Sequence, residues 1–105
     1  MMYMIAYYIR PTATRTPNDV RSDLEEEIVK FGNWWHYFGD FWVVDTERSV
    51  NEMTEILRGH MSAKDDLLIA GIQPPYQGWL PPTAWKWLNE TSRKHSETKE
   101  VAKAG

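Results

Sequence analysis

Three aspartates that lie where a predicted strand begins or ends are the first candidates for a metal site. Asp65 and Asp66 are adjacent, and carboxylates are the ligands that a hard divalent cation needs. Successive strand residues point to opposite faces, however, and Asp is an ordinary turn residue, so these two carboxylates cannot easily share one ion. Asp45 stands alone at the end of another predicted strand. We therefore predict structural roles for all three aspartates and no metal site.

Two histidines are the next candidates for acid–base chemistry. His36 lies in a predicted strand, and no Ser, Cys or carboxylate stands at a spacing that would make it a general base. His60 follows Gly59 near the end of a predicted helix, where the helix dipole favours a cationic imidazole. Both histidines are predicted to be structural. The sequence therefore offers no catalytic residue and no cofactor site.

Three arginines cluster around the first predicted loop, and they could contact the phosphates of a nucleic acid. They are Arg10, Arg15 and Arg21. The formal net charge of the chain is −3, which leaves few cations to displace the counterions of a nucleic acid. We therefore expect nucleic-acid contact at these arginines to be weak.

Three tryptophans lie within or just after a proline-rich stretch near the end of the chain: Trp79, Trp85 and Trp87. Aromatic side chains of this size dominate both cores and interfaces, because each buries a large area. Two interpretations stay open at this point. The tryptophans either cover an open part of the sheet or form a surface for a ligand or a partner.

The elements that would position these residues alternate between strand and helix periodicity. A strand over 3–9 is apolar on both faces, and a helix over 17–31 follows, with Thr16 and Asp19 as its capping box. Gly32 is expected to end this helix in the left-handed conformation.

Two strands, a second helix and a fourth strand come next. The strands are predicted over 34–38, 41–45 and 66–73, and Ser49 with Glu52 forms the capping box of the second helix. The order strand–helix–strand–strand–helix–strand is typical of the ferredoxin-like fold. We therefore predict an α+β, ferredoxin-like βαββαβ domain, with a four-stranded antiparallel sheet and two helices on one face.

The rest of the chain is predicted to be a short aromatic segment and a tail. A short helix over 83–90 completes a domain that spans residues 1–90, and residues 91–105 form a solvated extension, a frayed helix without an apolar stripe. The 105 residues contain no cysteine, which favours the reducing cytoplasm. The apolar start of the chain has no basic leader and is shorter than the ~20 residues that span a bilayer, so no membrane association is expected.

Several segments carry a family resemblance: Gly32-Asn33-Trp34-Trp35-His36, Phe41-Trp42-Val43-Val44 and Asp65-Asp66-Leu67-Leu68-Ile69-Ala70. Over residues 3–73 the chain resembles the SinR-like family of small bacterial proteins. That family is similar in fold to the VapD toxin ribonucleases and to the small dimeric adaptor of CRISPR spacer acquisition. The resemblance implies a ferredoxin-like fold and a homodimer in which two sheets meet.

One position departs from the nuclease relatives. Those relatives carry an aspartate at the end of the first strand, where two subunits bring a pair of carboxylates to a metal, whereas this chain has Tyr8 there. A phenol is a poor magnesium ligand at neutral pH, because it stays protonated. We therefore expect the protein not to be an enzyme.

The first strand is too apolar for a sheet covered on one face only. If Ile5 faces the helices, Met4, Ala6 and Tyr8 face away, and a contiguous apolar patch is costly to leave in water. These three residues are predicted to lie at the interface of a homodimer. The alternative is that residues 79–88 fold back over this face within one chain.

Three functions follow, from different classes. The first is a non-enzymatic, dimeric interaction protein that binds another protein in bacterial or mobile-element defence, counter-defence or toxin–antitoxin biology. The second is a metal-dependent ribonuclease with a displaced ligand such as Asp45. The third is a small nucleic-acid adaptor that uses the three arginines. A bound magnesium ion, a basic cleft or an aromatic surface would distinguish them.

Overall fold

Two capping boxes fix the starts of the first two helices, as the sequence predicts. In α1 (Pro17–Ile28) the Thr16 side chain accepts from the backbone N–H of Asp19, whose carboxylate accepts from the backbone N–H of Thr16. In α2 (Val50–Arg58) the residues Ser49 and Glu52 repeat this exchange. Each box satisfies backbone donors that would otherwise lack partners in the first turn of a helix.

The computed structural model describes residues 1–36 and 38–104, with side chains up to His95. Tyr37, which the sequence places in the second strand, lies outside the described residues, as do Gly105 and the side chains of the tail beyond His95.

Four strands form one antiparallel sheet. They are β1 (Met2–Tyr8), β2 (Asn33–Trp35), β3 (Phe41–Asp45) and β4 (Asp66–Ile72). Their order across the sheet is β2-β3-β1-β4, and every neighbouring pair is antiparallel. The predicted α+β class and the four-stranded antiparallel sheet are thus confirmed.

The C-terminal segment is one continuous helix, whereas the sequence predicts a short helix followed by a frayed one. A third helix, α3 (Pro82–Ala104), runs for 23 residues and continues without a break through the predicted boundary between residues 90 and 91. Thr91 is buried, although the sequence offered it as the first residue of a solvated tail. Among the described residues, no helix is both long enough and apolar enough to cross a bilayer.

The sheet separates two hydrophobic clusters of different size. The larger cluster joins α1 and α2 to one face, and its fully buried side chains include Ile5, Leu24, Ile28, Val44, Met53 and Leu57. The smaller cluster lies on the opposite face, which we call the second face, where Met2 and Val43 are buried with Leu88 of α3. The alternation along β1 therefore sends side chains to two different cores.

Two sequence predictions about loops are wrong. Gly32 does not adopt the left-handed conformation, because the residue with positive φ in the described part of the chain is Gly39. A side chain at Gly32 would instead collide with the backbone carbonyl of Asp45, so close approach of two chain segments explains the glycine. The second strand ends at Trp35 rather than 38, and Phe38, Gly39 and Asp40 form the turn into β3.

Candidate interaction surface

The second face of the sheet is covered over only part of its area. Met2 and Val43 are buried beneath α3. Tyr8 and Leu68, which point to the same side at the other end of the sheet, are 57% and 59% exposed. The chain therefore supplies its own cover at one end and leaves apolar side chains in water at the other.

An aromatic groove separates the covered part of this face from the C-terminal segment. Its volume is about 580 Å³, which lies in the range of known ligand sites. Among the described residues, none that lines it is charged. The sheet side is formed by Phe41, Val43 and Ile72, and the opposite side by Tyr76, Leu80, Trp85 and Leu88. A groove with these mainly apolar walls suits an apolar or aromatic group.

Two contacts hold the loop before α3 against that helix. The ring of Tyr76 lies 6.3 Å from that of Trp85, and its hydroxyl donates to the backbone carbonyl of Leu88 at 3.4 Å. Trp79 lies at the rim of the groove and is fully exposed, whereas Trp87 is half-buried against the smaller cluster. The three predicted tryptophans therefore occupy three settings: one exposed at the rim, one in the wall and one outside the groove.

The uncovered end of the second face forms an apolar patch. It consists of Met4, Ala6, Tyr8 and Leu68, and we call it the Tyr8 patch. A shallow cleft of about 300 Å³ runs along it beside Asp66. The guanidinium carbon of Arg10 lies 4.8 Å from the centre of the Tyr8 ring, close enough for a cation–π contact.

The three predicted nucleic-acid contacts do not form one patch of free positive charge. Arg10 donates to Asp66 at 2.9 Å, Arg15 is paired with Asp23, and the Nε of Arg21 donates to both carboxylate oxygens of Asp40 at 3.0 and 3.1 Å. Each cation is therefore balanced by a carboxylate. Arg10 and Arg15 line one hollow of about 200 Å³, and Arg21 lies beside the turn into β3.

The paired aspartates at the start of β4 serve different partners. Asp65 is buried and accepts from the backbone N–H groups of Arg10 and Ser62, each at 2.9 Å. Burial alone would raise the pKa of Asp65, but these hydrogen bonds outweigh it and hold the pKa below its ordinary value. Asp66 is exposed and faces Arg10. Among the described residues, no group of three or more His, Asp or Glu side chains could hold a metal ion.

The two histidines considered in the sequence analysis each contact another part of the chain. His36 stacks on Trp42 with ring centres 3.9 Å apart, and its Nε2 lies 2.7 Å from the carbonyl oxygen of Gly39. Since a carbonyl only accepts, Nε2 carries the proton in this contact. His60 faces Glu27 of α1 at 3.5 Å.

The sequence did not predict the contact between α3 and the end of β3. His95 Nε2 lies 2.5 Å from Asp45 Oδ1, so the predicted lone carboxylate has a partner fifty residues away. The signal was present in the spacing of Ala84, Leu88, Thr91 and His95, which lie four, three and four residues apart on one helix face. It was hidden because the last two members of the stripe are polar.

Comparison with known protein families, with functionally described proteins and with solved structures finds no match to this chain. The SinR-like resemblance of residues 3–73 accordingly stays a prediction.

Proposed function

We propose that this chain is a non-enzymatic, homodimeric interaction protein in which a second copy covers the Tyr8 patch. The observation that supports this most directly is the exposure of Tyr8 and Leu68 on neighbouring strands of one sheet face. Apolar surface contributes about 25 cal/mol per Å² when it leaves water. A second copy of the same patch offers matching apolar surface by symmetry.

The patch alone is smaller than a stable interface. Specific complexes bury about 800 Å² on each partner. The four side chains of the Tyr8 patch expose less area than that. The contact therefore extends from Met4, Ala6 and Tyr8 to neighbouring residues on β4. Tyr8 suits the interface because its ring buries area while its hydroxyl reaches a partner group or water.

The aromatic groove is the proposed contact for a different protein. Its uncharged walls and the exposed ring of Trp79 favour an apolar or aromatic side chain of that partner. Trp85 and Trp87 belong to the same proposed surface, one in the wall and one beside it. Interfaces are enriched in tryptophan and depleted in charge at their centres, which matches this composition.

The proposal places the protein in the cytoplasm of a bacterium, in defence, counter-defence or toxin–antitoxin biology. It includes a ferredoxin-like fold, which the order β2-β3-β1-β4 and the covering of one face by α1 and α2 support. The SinR-like resemblance supports the setting, and Tyr8 in place of an aspartate supports a role without catalysis.

A charge placed in the Tyr8 patch tests the proposal. Tyr8→Glu is expected to halve the mass of the assembly in light scattering at micromolar concentration, because a carboxylate would be buried without a partner. Tyr8→Phe should leave the mass unchanged. Val50→Glu is the matched control, since it places the same charge on an exposed apolar position at the start of α2, away from the sheet face. A wild-type chain that has the mass of a monomer, 12.4 kDa, would refute the homodimer.

A further inference from the structure

The outer edge of β4 is an open edge of the sheet. In the order β2-β3-β1-β4 the two outer strands are β2 and β4. The strand β2 has three residues, whereas β4 has seven and pairs with β1 in an unbroken register from Asp66 to Ile72. A long and regular outer strand presents a row of backbone groups that can pair with another strand.

Backbone hydrogen bonds at the ends of β1 show which residues face each neighbour. The N–H of Tyr7 donates to the carbonyl of Asp40 at 3.1 Å, and the N–H of Thr46 donates to the carbonyl of Met1 at 3.1 Å. Odd-numbered residues of β1 therefore direct their backbone groups toward β3. Even-numbered residues therefore face β4. On the same side, the N–H of Arg10 donates to the side-chain carboxylate of Asp65.

The register with β1 then assigns the free groups of β4. Even-numbered residues of β1 lie opposite Asp66, Leu68, Ala70 and Ile72, so these residues bond inward. The residues Leu67, Ile69 and Gly71 alternate with them and direct their N–H and C=O groups outward. Among the residues that the structure describes, none forms a hydrogen bond with these outward groups.

Most of the features that normally protect an outer strand are missing from β4, whose one charged residue is Asp66 at its start. Natural sheets block such edges with lysine, proline, a bulge or a covering segment. From Asp66 to Ile72 there is no lysine and no proline, and the continuous register leaves no bulge. The side chain of Leu68, next to this edge, is more than half exposed. The edge is therefore open to strand pairing by both its backbone and its side chains.

We infer that the outer edge of β4 pairs with the same edge of a second copy of this chain, in antiparallel orientation around Ile69. In this register the outward groups of Leu67 meet those of Gly71 of the second copy, and the two Ile69 residues meet each other, so every outward N–H has an acceptor. Leu68 lies opposite Ala70 of the second copy. Asp66 lies opposite Ile72, so no two carboxylates meet.

This contact goes beyond the proposed association through the Tyr8 patch. Edge pairing uses backbone groups in the plane of the sheet, whereas the Tyr8 patch lies on its second face. The two contacts are different two-fold interfaces, although Leu68 borders both. A chain that uses both forms larger assemblies in which the proposed homodimer is the repeating unit. A variant that loses one contact keeps the other.

Matched substitutions at one glycine test the edge. Gly71→Pro removes an outward N–H without taking a bond from the ladder with β1, and Gly71→Ala keeps that N–H. Both are made in the Tyr8→Glu background, where the face contact is removed, and their masses are measured by light scattering. We expect Tyr8→Glu and Tyr8→Glu/Gly71→Ala to be dimers, and Tyr8→Glu/Gly71→Pro to be a monomer. A Tyr8→Glu chain that is already monomeric overturns the edge contact and leaves the face contact intact.

Hydrogen exchange of the wild-type chain provides a test that needs no substitution. The amides of Leu67, Ile69 and Gly71 should gain at least tenfold protection as the concentration rises, because pairing gives them acceptors. The amides of Leu68 and Ala70 bond to β1 at every concentration and should not change. Equal exchange of the three outward amides at low and high concentration would overturn the inference, even if the chain is dimeric through the Tyr8 patch.

Discussion

The two faces of the sheet are made of similar residues but are covered in different ways. On the first face, α1 and α2 connect successive strands, and residues such as Ile5, Val44 and Leu57 are fully buried. On the second face, a single helix arrives after the sheet is complete and buries Met2 and Val43, while Tyr8 stays exposed. Because α1 and α2 each connect two strands, they must pack along the sheet. The helix α3 follows the last strand and covers only one end of the second face.

The two faces are therefore expected to have different roles, the first in the stability of the fold and the second in binding. The first face contains the large closed cluster, so its residues are expected to determine the free energy of unfolding. The second face contains the aromatic groove and the Tyr8 patch, both of which leave apolar groups accessible. Substitutions on the two faces should therefore differ in the size of their effect on stability and in whether they change stability or association.

The largest expected effect compares equivalent leucines under the two faces. Leu57→Ala should lower the free energy of unfolding by about 3 kcal/mol, because it leaves a cavity in a closed core. Leu88→Ala should cost about 1–2 kcal/mol, since the groove beside it already admits solvent and surrounding residues can collapse. Urea denaturation of both variants measures the difference. Equal losses would mean that α3 closes the second face as tightly as α1 and α2 close the first.

A second comparison concerns the length of α3. A chain that stops after Glu90 loses buried Thr91 and the contact between His95 and Asp45. We expect it to fold but to melt several degrees below the full chain, because about 1 kcal/mol shifts the melting temperature of a domain this size by about 4–8 °C. A chain that stops after His95 keeps both contacts and should melt like the full chain. Identical melting of the two truncated chains would support the solvated tail that the sequence predicts from residue 91.

Acid denaturation probes a junction that belongs to the first face. The pKa of Asp65 is lower in the folded protein than its ordinary value of 3.8, so the folded state favours the carboxylate. The stabilisation that results is fully present above that ordinary value and is lost as the pH falls below it, toward the lower pKa of the folded state. Asp65→Asn should remove this part of the acid sensitivity. The check is the slope of unfolding free energy against pH below pH ~4, which should be shallower in the variant than in Asp66→Asn, the exposed neighbour.

Local sequence patterns predicted the first face well. The capping residues Thr16 and Ser49 and the third strand over 41–45 are where the sequence places them, because caps and alternation act within a few residues. The end of the first helix was overestimated by three residues, since Phe31 is buried yet lies outside the helix. Burial in a loop satisfies the same apolar pattern as burial in a helix.

The second face was harder to predict because its contacts are distant in sequence. Tyr8 is exposed because α3 covers only the other end of the second face. The contact between Asp45 and His95 joins residues that are fifty positions apart. No local pattern encodes such a pairing. The sequence did identify Trp85 as part of a candidate surface, but the groove itself requires β3, β4 and α3 together.

The smallest expected effect on stability belongs to Trp79, at the rim of the groove. This ring is fully exposed, so Trp79→Ala should change the free energy of unfolding by less than about 0.5 kcal/mol. Trp85→Ala is the matched comparison, since it removes a half-buried ring that stacks on Tyr76, and it should cost about 2 kcal/mol. Urea denaturation gives both values.

Fluorescence tests the environment of Trp79 directly. The difference between the spectra of the wild-type chain and of Trp79→Ala isolates the emission of Trp79. That emission should be red-shifted and readily quenched by acrylamide, as for a ring in water. A loss above 1 kcal/mol or a blue-shifted difference spectrum would show that Trp79 fills the groove in solution, and the groove would then be occupied by its own rim rather than open to a partner.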